Sequence, residues 1–301
     1  MRKLKFTLAA GFAGLLTSVS AGLAADLGPP IVPPPAPVPV ETPCCASGWY
    51  LRGDVGMEVD KRADVFQIDV ATAPGGAFVD HSLNNTAFAG VGAGFRFNGY
   101  FRADVTAEFR GSHGFSAIDR YDFDCDAAGF NFGSCSQGGK ITRNNIWNGT
   151  LTSQVYLANA YFDLCNCGNL TPFVGAGAGF AHHRMHGITD FDPSDFGGGG
   201  HAADGTNTSF AWAVQAGLGY QITPHLTLEM AYRYLNMGDA RSGGLNCLSN
   251  GCQTGGAFEL KNISAQEVKL GMRWQFSGLG GGVLGGGVVG GCEKAALIAC
   301  D

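Results

Sequence analysis

The spacing of strand-like stretches is the feature that most constrains this chain. Polar and apolar residues alternate in eight stretches, near 49–59, 87–97, 100–110, 150–164, 170–180, 208–222, 226–236 and 266–276. Three gaps are short, with two, five and three residues at Asn98-Gly99, Cys165–Asn169 and Thr223–His225. The other four gaps have 27 to 39 residues and cover 60–86, 111–149, 181–207 and 237–265. Short turns at one end and long loops at the other are typical of outer-membrane barrels. We therefore predict an all-β fold, an eight-stranded antiparallel up-and-down transmembrane β-barrel with short periplasmic turns and long extracellular loops.

The stretch 266–276 shows why the alternation favours a membrane barrel over a soluble sheet. Its even positions carry Val268, Leu270, Met272, Trp274 and Phe276, and its odd positions include Glu267, Lys269 and Arg273. A period of two places each set on one face of a strand. The charged face is as regular as the apolar one, which is expected where lipid surrounds the outside.

The inward face is predicted to hold a balanced ion-pair network. Seven basic and seven acidic residues are predicted to face inward: Arg52, Arg96, Arg102, Arg110, Arg233, Lys269 and Arg273 with Asp54, Glu58, Asp104, Glu108, Asp163, Glu229 and Glu267. An eight-stranded barrel is only wide enough for its own side chains, and charges in a low-dielectric interior need partners. Inward glycines, among them Gly90 and Gly92, would make room for the long side chains. We expect a filled, rigid stem, and a narrow conducting path between the pairs is the alternative.

The ends of the predicted strands carry aromatic and turn-forming residues. Trp49, Phe101 and Trp274 lie near the short-turn end, and Phe109 and Phe210 lie near the other. Such positions are typical of the aromatic girdles at the two membrane interfaces. The pair Asn98-Gly99 predicts a type I′ hairpin turn, in which both central residues have positive φ.

The termini lie outside the predicted barrel, which covers residues 48–276. Residues 1–24 have a basic start and a short apolar run and predict a cleaved secretory signal. Residues 25–47 form a proline-rich stretch, predicted to be an extended periplasmic linker, and residues 277–301 form a glycine-rich tail whose role the sequence leaves open. Without Arg2, Lys3 and Lys5, 16 Lys and Arg face 25 Asp and Glu, a net charge of −9. This balance argues against nucleic acid as a partner.

The ten cysteines fall in close pairs, which in an exported chain indicates disulfides. Cys125 with Cys135, and Cys247 with Cys252, each sit within one long loop and are the candidate local bridges. The connectivity of the remaining six stays open: Cys44, Cys45, Cys165, Cys167, Cys292 and Cys300.

The long loops contain three groups of residues with possible chemistry. Asp122, Asp124 and Asp126 have the odd spacing of a calcium loop, but the glycine and glutamate that such a loop needs are missing. His182, His183 and His186 are candidate ligands of haem iron or a metal, with a solvated polar loop as the alternative. Adjacent serine and histidine residues occur at His81-Ser82 and Ser112-His113, although neighbours in sequence rarely form a catalytic triad. We therefore predict no enzyme, no cofactor and no metal.

Several motifs in order resemble a known family. They are Gly48-Trp49-Tyr50-Leu51-Arg52-Gly53-Asp54, Asn159-Ala160-Tyr161-Phe162-Asp163, Thr171-Pro172-Phe173-Val174-Gly175-Ala176-Gly177 and Lys269-Leu270-Gly271-Met272-Arg273-Trp274-Gln275-Phe276. Together they resemble small alphaproteobacterial outer-membrane barrels, the RopB-type and opacity-like surface proteins related to the OmpA transmembrane barrel. The resemblance implies that Trp274 and Phe276 belong to the insertion signal read by the barrel-assembly machinery. It also adds haemin binding as a possible role of the histidine-bearing loop. Such barrels usually end at the aromatic residue, whereas this chain continues.

The expected function follows from the predicted fold and the resemblance. We predict an integral protein of the cell outer membrane with structural and surface-exposed roles in adhesion, antigenicity or envelope integrity. Its expected partners are outer-membrane lipids and lipopolysaccharide, the barrel-assembly machinery during insertion, and host or surface ligands at the loops. A low-conductance porin-like channel, a haemin- or metal-binding surface protein and a lipid A-modifying enzyme are the alternatives.

Overall fold

The structure, a computed structural model, describes residues 47–68, 77–124, 139–164, 169–193, 198–248 and 256–276. The described residues all belong to one compact unit within Thr42–Asp301. The predicted signal, the tail and the linker up to residue 46 lie outside the described residues, as do Cys125, Cys135, Cys252 and Asp126.

Eleven strands are present in the described part of the chain. They are β1 (Gly48–Ile68), β2 (Ala77–Leu83), β3 (Ala87–Arg96), β4 (Phe101–Arg110), β5 (His113–Asp124), β6 (Lys140–Asp163), β7 (Leu170–Asp192), β8 (Gly198–Ala202), β9 (Gly205–Gln221), β10 (Leu226–Cys247) and β11 (Ala257–Gln275). No helix in these segments is long and apolar enough to cross a membrane.

Eight of the strands close into an antiparallel ring, in the order β1, β3, β4, β6, β7, β9, β10 and β11. The ring closes between β1 and β11, where Val55 pairs with Leu270. Each of these strands covers one of the eight predicted stretches to within one residue, so the predicted fold class is confirmed.

The strands are longer than the sequence indicates. β6 has 24 residues and β7 has 23, whereas about 9–11 residues cross a bilayer. The far halves of these strands, together with β2, β5 and β8, occupy parts of the segments predicted as long loops. We call this region, beyond Glu58 on β1 and Phe180 on β7, the extension.

The face of a strand that carries the hydrophobic residues changes between its two halves. This change explains why the sequence does not predict the strands of the extension. On β10, Met230 and Tyr232 are exposed on the outside, while further along Leu235 and Met237 are buried inside. The membrane half is therefore apolar outside and the extension is apolar inside, as in a soluble protein. A single alternation pattern does not continue through this reversal, so the sequence alone predicts a loop where the extension has strands.

Positive-φ residues mark β-bulges in the extension. Gly187, Gly238 and Asn262 have φ values of 63°, 70° and 52°. At Gly238 the buried parity changes from odd positions such as Met237 to even positions such as Ala240. An extra residue in one strand produces this shift of face, and glycine adopts positive φ without steric cost.

The predicted type I′ turn at Asn98-Gly99 is wrong. Neither residue has positive φ. The backbone N–H of Phe97 donates to the carbonyl of Phe101 at 2.9 Å, and the Asn98 side-chain oxygen accepts from the backbone N–H groups of Tyr100 and Phe101 at 2.8 Å. Local capping by the asparagine side chain therefore stabilises a longer turn, a known use of this residue type.

The lumen and lipid belt as candidate functional surfaces

The ring interior contains an ionic layer at the level of the membrane strands. The inward positions of six of the eight ring strands direct charged side chains to one another, and all fourteen predicted lumen residues form ion pairs. The pairs join Arg52 to Asp54, Asp104 and Glu229; Arg96 and Arg102 to Asp163; Arg102 and Arg273 to Glu229; Arg110 to Glu58, Glu108 and Glu267; Arg233 to Glu108 and Glu267; and Lys269 to Asp54.

Arg52 organises the half of this layer nearer the short turns. Its guanidinium donates to Asp54 at 2.8 Å and to Asp104 at 2.9 Å, and it also contacts the hydroxyl of Tyr161 at 2.7 Å. Asn159 donates to Asp104 at 2.8 Å. These bonds supply the acceptors and donors that buried charges require.

Arg110 and Arg233 organise the other half around shared carboxylates. Arg110 donates to Glu58 at 2.8 Å and to Glu108 at 3.1 Å, and Arg233 donates to Glu108 at 2.7 Å. Both guanidiniums also bind Glu267. Residues from β1, β4, β10 and β11 thus meet inside the ring. Their ion pairs crosslink strands that do not pair directly, such as β1 and β4.

Glycines leave room for these side chains. A Cβ added at Gly90 would lie 2.9 Å from the Glu108 Cγ, and one at Gly92 would lie 2.8 Å from the Thr106 Cγ2 and 3.1 Å from the Arg52 Cγ. Larger residues at these two positions would displace the ionic layer.

Lys61 is a lumen cation that sequence reasoning missed. A register shift between Glu58 and Asp60 moves the inward parity of β1 from even to odd positions, and Lys61 becomes buried. Its ammonium group lies 3.4 Å from the Glu58 carboxylate and donates to the His113 Nε2 at 2.9 Å. Burial lowers the pKa of Lys61 to about 8, and burial with the Lys61 charge lowers that of His113 to about 3. No local sequence signal marks this bulge.

An apolar cluster fills the extension beyond the ionic layer. Phe258 lies at its centre, 5.1 Å from the Phe115 ring and 5.3 Å from the Trp147 ring. Aliphatic and methionine side chains from these strands and from five further strands complete it: Leu151, Val155, Leu157, Ala181, Met185, Ile188, Ala202, Ala211, Ala213, Leu235, Met237, Ala240, Leu245, Leu260, Ile263, Ala265, Ala63 and Ala117. The ring interior is therefore filled by two successive layers of opposite chemistry.

The three candidate haem histidines do not converge. His182 is exposed on the outer face and contacts the Thr208 hydroxyl at 3.0 Å. His183 faces the apolar cluster, where its Nδ1 accepts from the Ser153 hydroxyl at 2.8 Å and its Nε2 donates to the Met237 carbonyl at 2.9 Å. Burial lowers the pKa of His183 to about 4. Both ring nitrogens of His183 are used in these hydrogen bonds. His183 is therefore not available to bind a metal or haem iron together with the exposed His182 and the half-buried His186.

The other loop candidates are also dispersed. Asp122 is exposed and accepts from the Thr142 hydroxyl at 2.9 Å, while Asp124 ends β5. Within the described ranges, no group of three or more His, Cys, Asp or Glu residues could hold a metal ion. Ser112 is exposed beside the buried His113, so the two side chains point in opposite directions. Cys247 is the last residue of β10.

The outside of the ring carries a continuous apolar belt. Val55, Val91, Val105 and Leu270 are between 56% and 63% exposed at its middle. Exposed aromatic residues border it on both sides: Trp49, Phe97, Phe101, Tyr220 and Trp274 at the short-turn end and Phe109, Phe180, Phe210 and Tyr232 at the other. Phe276, at the short-turn end, donates its backbone N–H to the Trp49 carbonyl at 3.0 Å. A patch this extensive indicates contact with lipid.

A closed ring with a lipid-facing belt and a charged lumen defines the class of transmembrane β-barrels. Residues 46–276 match the family model described as outer membrane protein beta-barrel domain. The chain therefore belongs to the outer-membrane β-barrel family and is located in the outer membrane, as the sequence predicts.

Similar proteins and solved structures cover different shares of the chain. A protein of Brucella suis biovar 1 is 30% identical over 301 residues, which is 87% of this chain and 95% of the relative. The outer membrane protein PagN of Salmonella typhimurium is 31% identical over 83 residues, 28% of this chain and 34% of PagN. Among solved structures, Neisserial surface protein A covers 77% of this chain and 99% of its own, with 18% identity and a TM-score of 0.35.

Proposed function

We propose that this protein is a non-conducting, non-enzymatic surface protein that carries a rigid extension above the outer membrane. The observation that supports this most strongly is the double filling of the ring. An ion passing through would have to separate the carboxylates from Arg52, Arg110 and Arg233 and then cross the apolar cluster around Phe258.

The two layers oppose conduction for different physical reasons. Opening the ionic layer leaves buried charges without partners, which costs about 3–5 kcal/mol for each broken pair. Opening the apolar layer places water against hydrophobic side chains, which is unfavourable in proportion to the exposed area. Since the layers lie in series, a fluctuation that opens one leaves the other closed. This arrangement favours a structural role over the porin-like alternative.

The outer face of the extension suits contact with polar molecules. Arg62 and Arg184 have side chains that are 78% and 62% exposed, and they pair with Asp60 and Asp204. Both arginines lie beyond the apolar belt. Lipopolysaccharide presents its phosphate groups at this level. We infer that the extension holds the outer loops clear of this layer for contact with lipopolysaccharide and surface ligands.

Planar-bilayer recording tests the closed lumen. The purified barrel, with folding checked by heat-modifiable gel migration, is expected to give no steady unitary currents, while a known porin added to the same bilayer does. Replacing Phe258 with Gly thins only the apolar layer, so this variant should also remain silent. Steady currents from the unmodified folded barrel would overturn the proposal.

A lipid A assay tests the absence of catalysis. Incubation of the folded barrel with lipid A should leave its mass spectrum unchanged. A change in acylation that is lost in Ser82→Ala or Ser112→Ala would establish an enzyme instead.

A further inference from the structure

Three arginines meet at the short-turn end of the lumen in an arrangement that lacks one negative charge. Arg96 and Arg102 share the Asp163 carboxylate at 3.4 and 3.1 Å. Arg102 and Arg273 share a single oxygen of Glu229 at 3.2 and 3.4 Å. Arg52 also contacts Glu229, at 3.4 Å, although it has Asp54 and Asp104 as closer partners. Three guanidiniums thus depend on two carboxylates.

Strand pairing brings these like charges together. Arg96 is directly opposite Arg102 in the β3–β4 register, and Arg273 is opposite Arg52 in the β1–β11 register. Like charges at directly opposed positions are destabilising. The repulsion among Arg96, Arg102 and Arg273 acts in a buried site, where solvent screening is weak.

Several N–H groups of these arginines lack a hydrogen-bond acceptor among the described residues. They are the Arg96 Nε, the Arg102 Nη1 and Nη2, and the Arg273 Nη1. The Glu229 Oε1, which lies 3.2 Å from the Arg102 Nη1, also makes no hydrogen bond. The side chains of Arg102 and Arg273 are 1% and 5% exposed. Arginine can only donate, and the one Glu229 oxygen is a single acceptor for four donor atoms on three arginines. A further acceptor is therefore needed, and a negatively charged one would also neutralise the excess charge.

Aromatic rings hold the guanidinium planes in place. The Arg102 Cζ lies 4.0 Å from the Tyr161 ring centroid and 4.7 Å from that of Phe173, and the Arg273 Cζ lies 5.4 Å from that of Tyr50. Rings that cover the faces of a guanidinium leave its N–H edges available for an acceptor.

We propose that the short-turn end of the lumen binds one small monovalent inorganic anion, of the size of chloride, between Arg96, Arg102 and Arg273. One such charge balances three guanidiniums against two carboxylates. A large or multiply charged anion is disfavoured because it would approach Asp163 and Glu229. The Arg96 side chain is 14% exposed, so the site is accessible from the solution at the short-turn end.

Thermal unfolding of the full chain in detergent tests the site through its anion dependence. Chloride is compared with gluconate, which is too large for the site, at the same ionic strength. A ligand that binds the folded state raises the midpoint by roughly 3–5 °C for each tenfold increase above its dissociation constant in a protein of this size. We expect this shift in chloride and not in gluconate. Equal midpoints in the two salts would overturn the proposal.

Two variants separate this site from a general salt effect. Arg96→Gln leaves two guanidiniums for two carboxylates, and Asp163 keeps Arg102, so the chloride shift should disappear. Arg62→Gln removes an equal charge from an exposed position outside the lumen and should retain the full shift. If both variants keep it, the anion binds elsewhere and the proposal fails.

Bromide soaking of crystals of the unmodified protein gives a direct measurement that needs no variant. An anomalous peak is expected within about 3.5 Å of the Arg102 Nη atoms, a distance typical of charge-assisted contacts allowing for the larger ion. Ordered water without anomalous signal at this position would refute the site, even if bromide occurs on the protein surface.

Discussion

Val105→Arg places a charge on the lipid face at the middle of β4. Val105 is 62% exposed and lies four residues from Phe101 and four from Phe109, the aromatic residues at the two ends of this strand. At about 3.3 Å per residue and a tilt of about 40°, Val105 lies roughly 10 Å along the membrane normal from each of the two aromatic girdles. An arginine at this depth costs about 2–4 kcal/mol.

The matched control replaces a valine that faces water, instead of lipid, with arginine. Val79 on β2 is 48% exposed and lies seven residues beyond Thr86, whose carbonyl accepts from the Glu58 backbone at the edge of the extension. Val79→Arg should therefore change stability by less than about 0.5 kcal/mol, as is usual for surface substitutions.

Denaturant titration of both variants in lipid vesicles measures the difference. The predicted cost corresponds to a roughly 30- to 900-fold fall in the folding equilibrium constant for Val105→Arg. If Val105→Arg is as stable as the parent, the outward face of β4 is not in lipid. If Val79→Arg is equally harmful, the belt extends further than its aromatic borders indicate.

Three further predictions concern the interior. Glu108→Gln leaves Arg110 and Arg233 short of a shared carboxylate, and denaturant titration should show a loss of about 3–5 kcal/mol. Burial, reinforced by Asp119 and Asp192, raises the pKa of Asp190 in the extension to about 7 from an ordinary value of 3.8. The folded state therefore favours its neutral form, so Asp190 alone makes the extension less stable as the pH rises from 4 to 7. The lowered pKa values of His113 and His183 act in the opposite direction over this range. Proteolytic resistance of the extension should therefore rise more steeply with pH in Asp190→Asn than in the parent. Gly238→Ala forces alanine to a φ of 70° and places its Cβ 2.7 Å from that of Ser209, so unfolding should be easier by about 1–2 kcal/mol or more.

Each of these predictions has a contradicting result. A fully stable Glu108→Gln barrel would mean that the ionic layer is not coupled as its contacts indicate. The same pH dependence of proteolysis in the parent and in Asp190→Asn would exclude Asp190 as a contributor. An unaffected Gly238→Ala would show that the bulge can move along β10.

Local alternation was sufficient to predict the membrane strands and the inward charges. Val268 and Lys269 illustrate this, because adjacent residues of a strand necessarily point to opposite faces. The predicted parity needed no knowledge of which strands are neighbours. The loop histidines could not be judged in the same way, since His182 and His183 look equivalent in sequence and only the strand through them assigns one to the outside and one to the core.

The sequence by itself determined an eight-stranded ring with an apolar outside and a charged inside, because a repeat of two residues is a property of each strand alone. The tertiary structure decided how far the strands extend, where Gly187, Gly238 and Asn262 shift the faces, and which carboxylate each arginine meets. These features depend on pairing across the ring, between residues as distant as Arg110 and Glu267. No local pattern encodes such contacts, since they arise only when the ring closes and places the side chains on one axis.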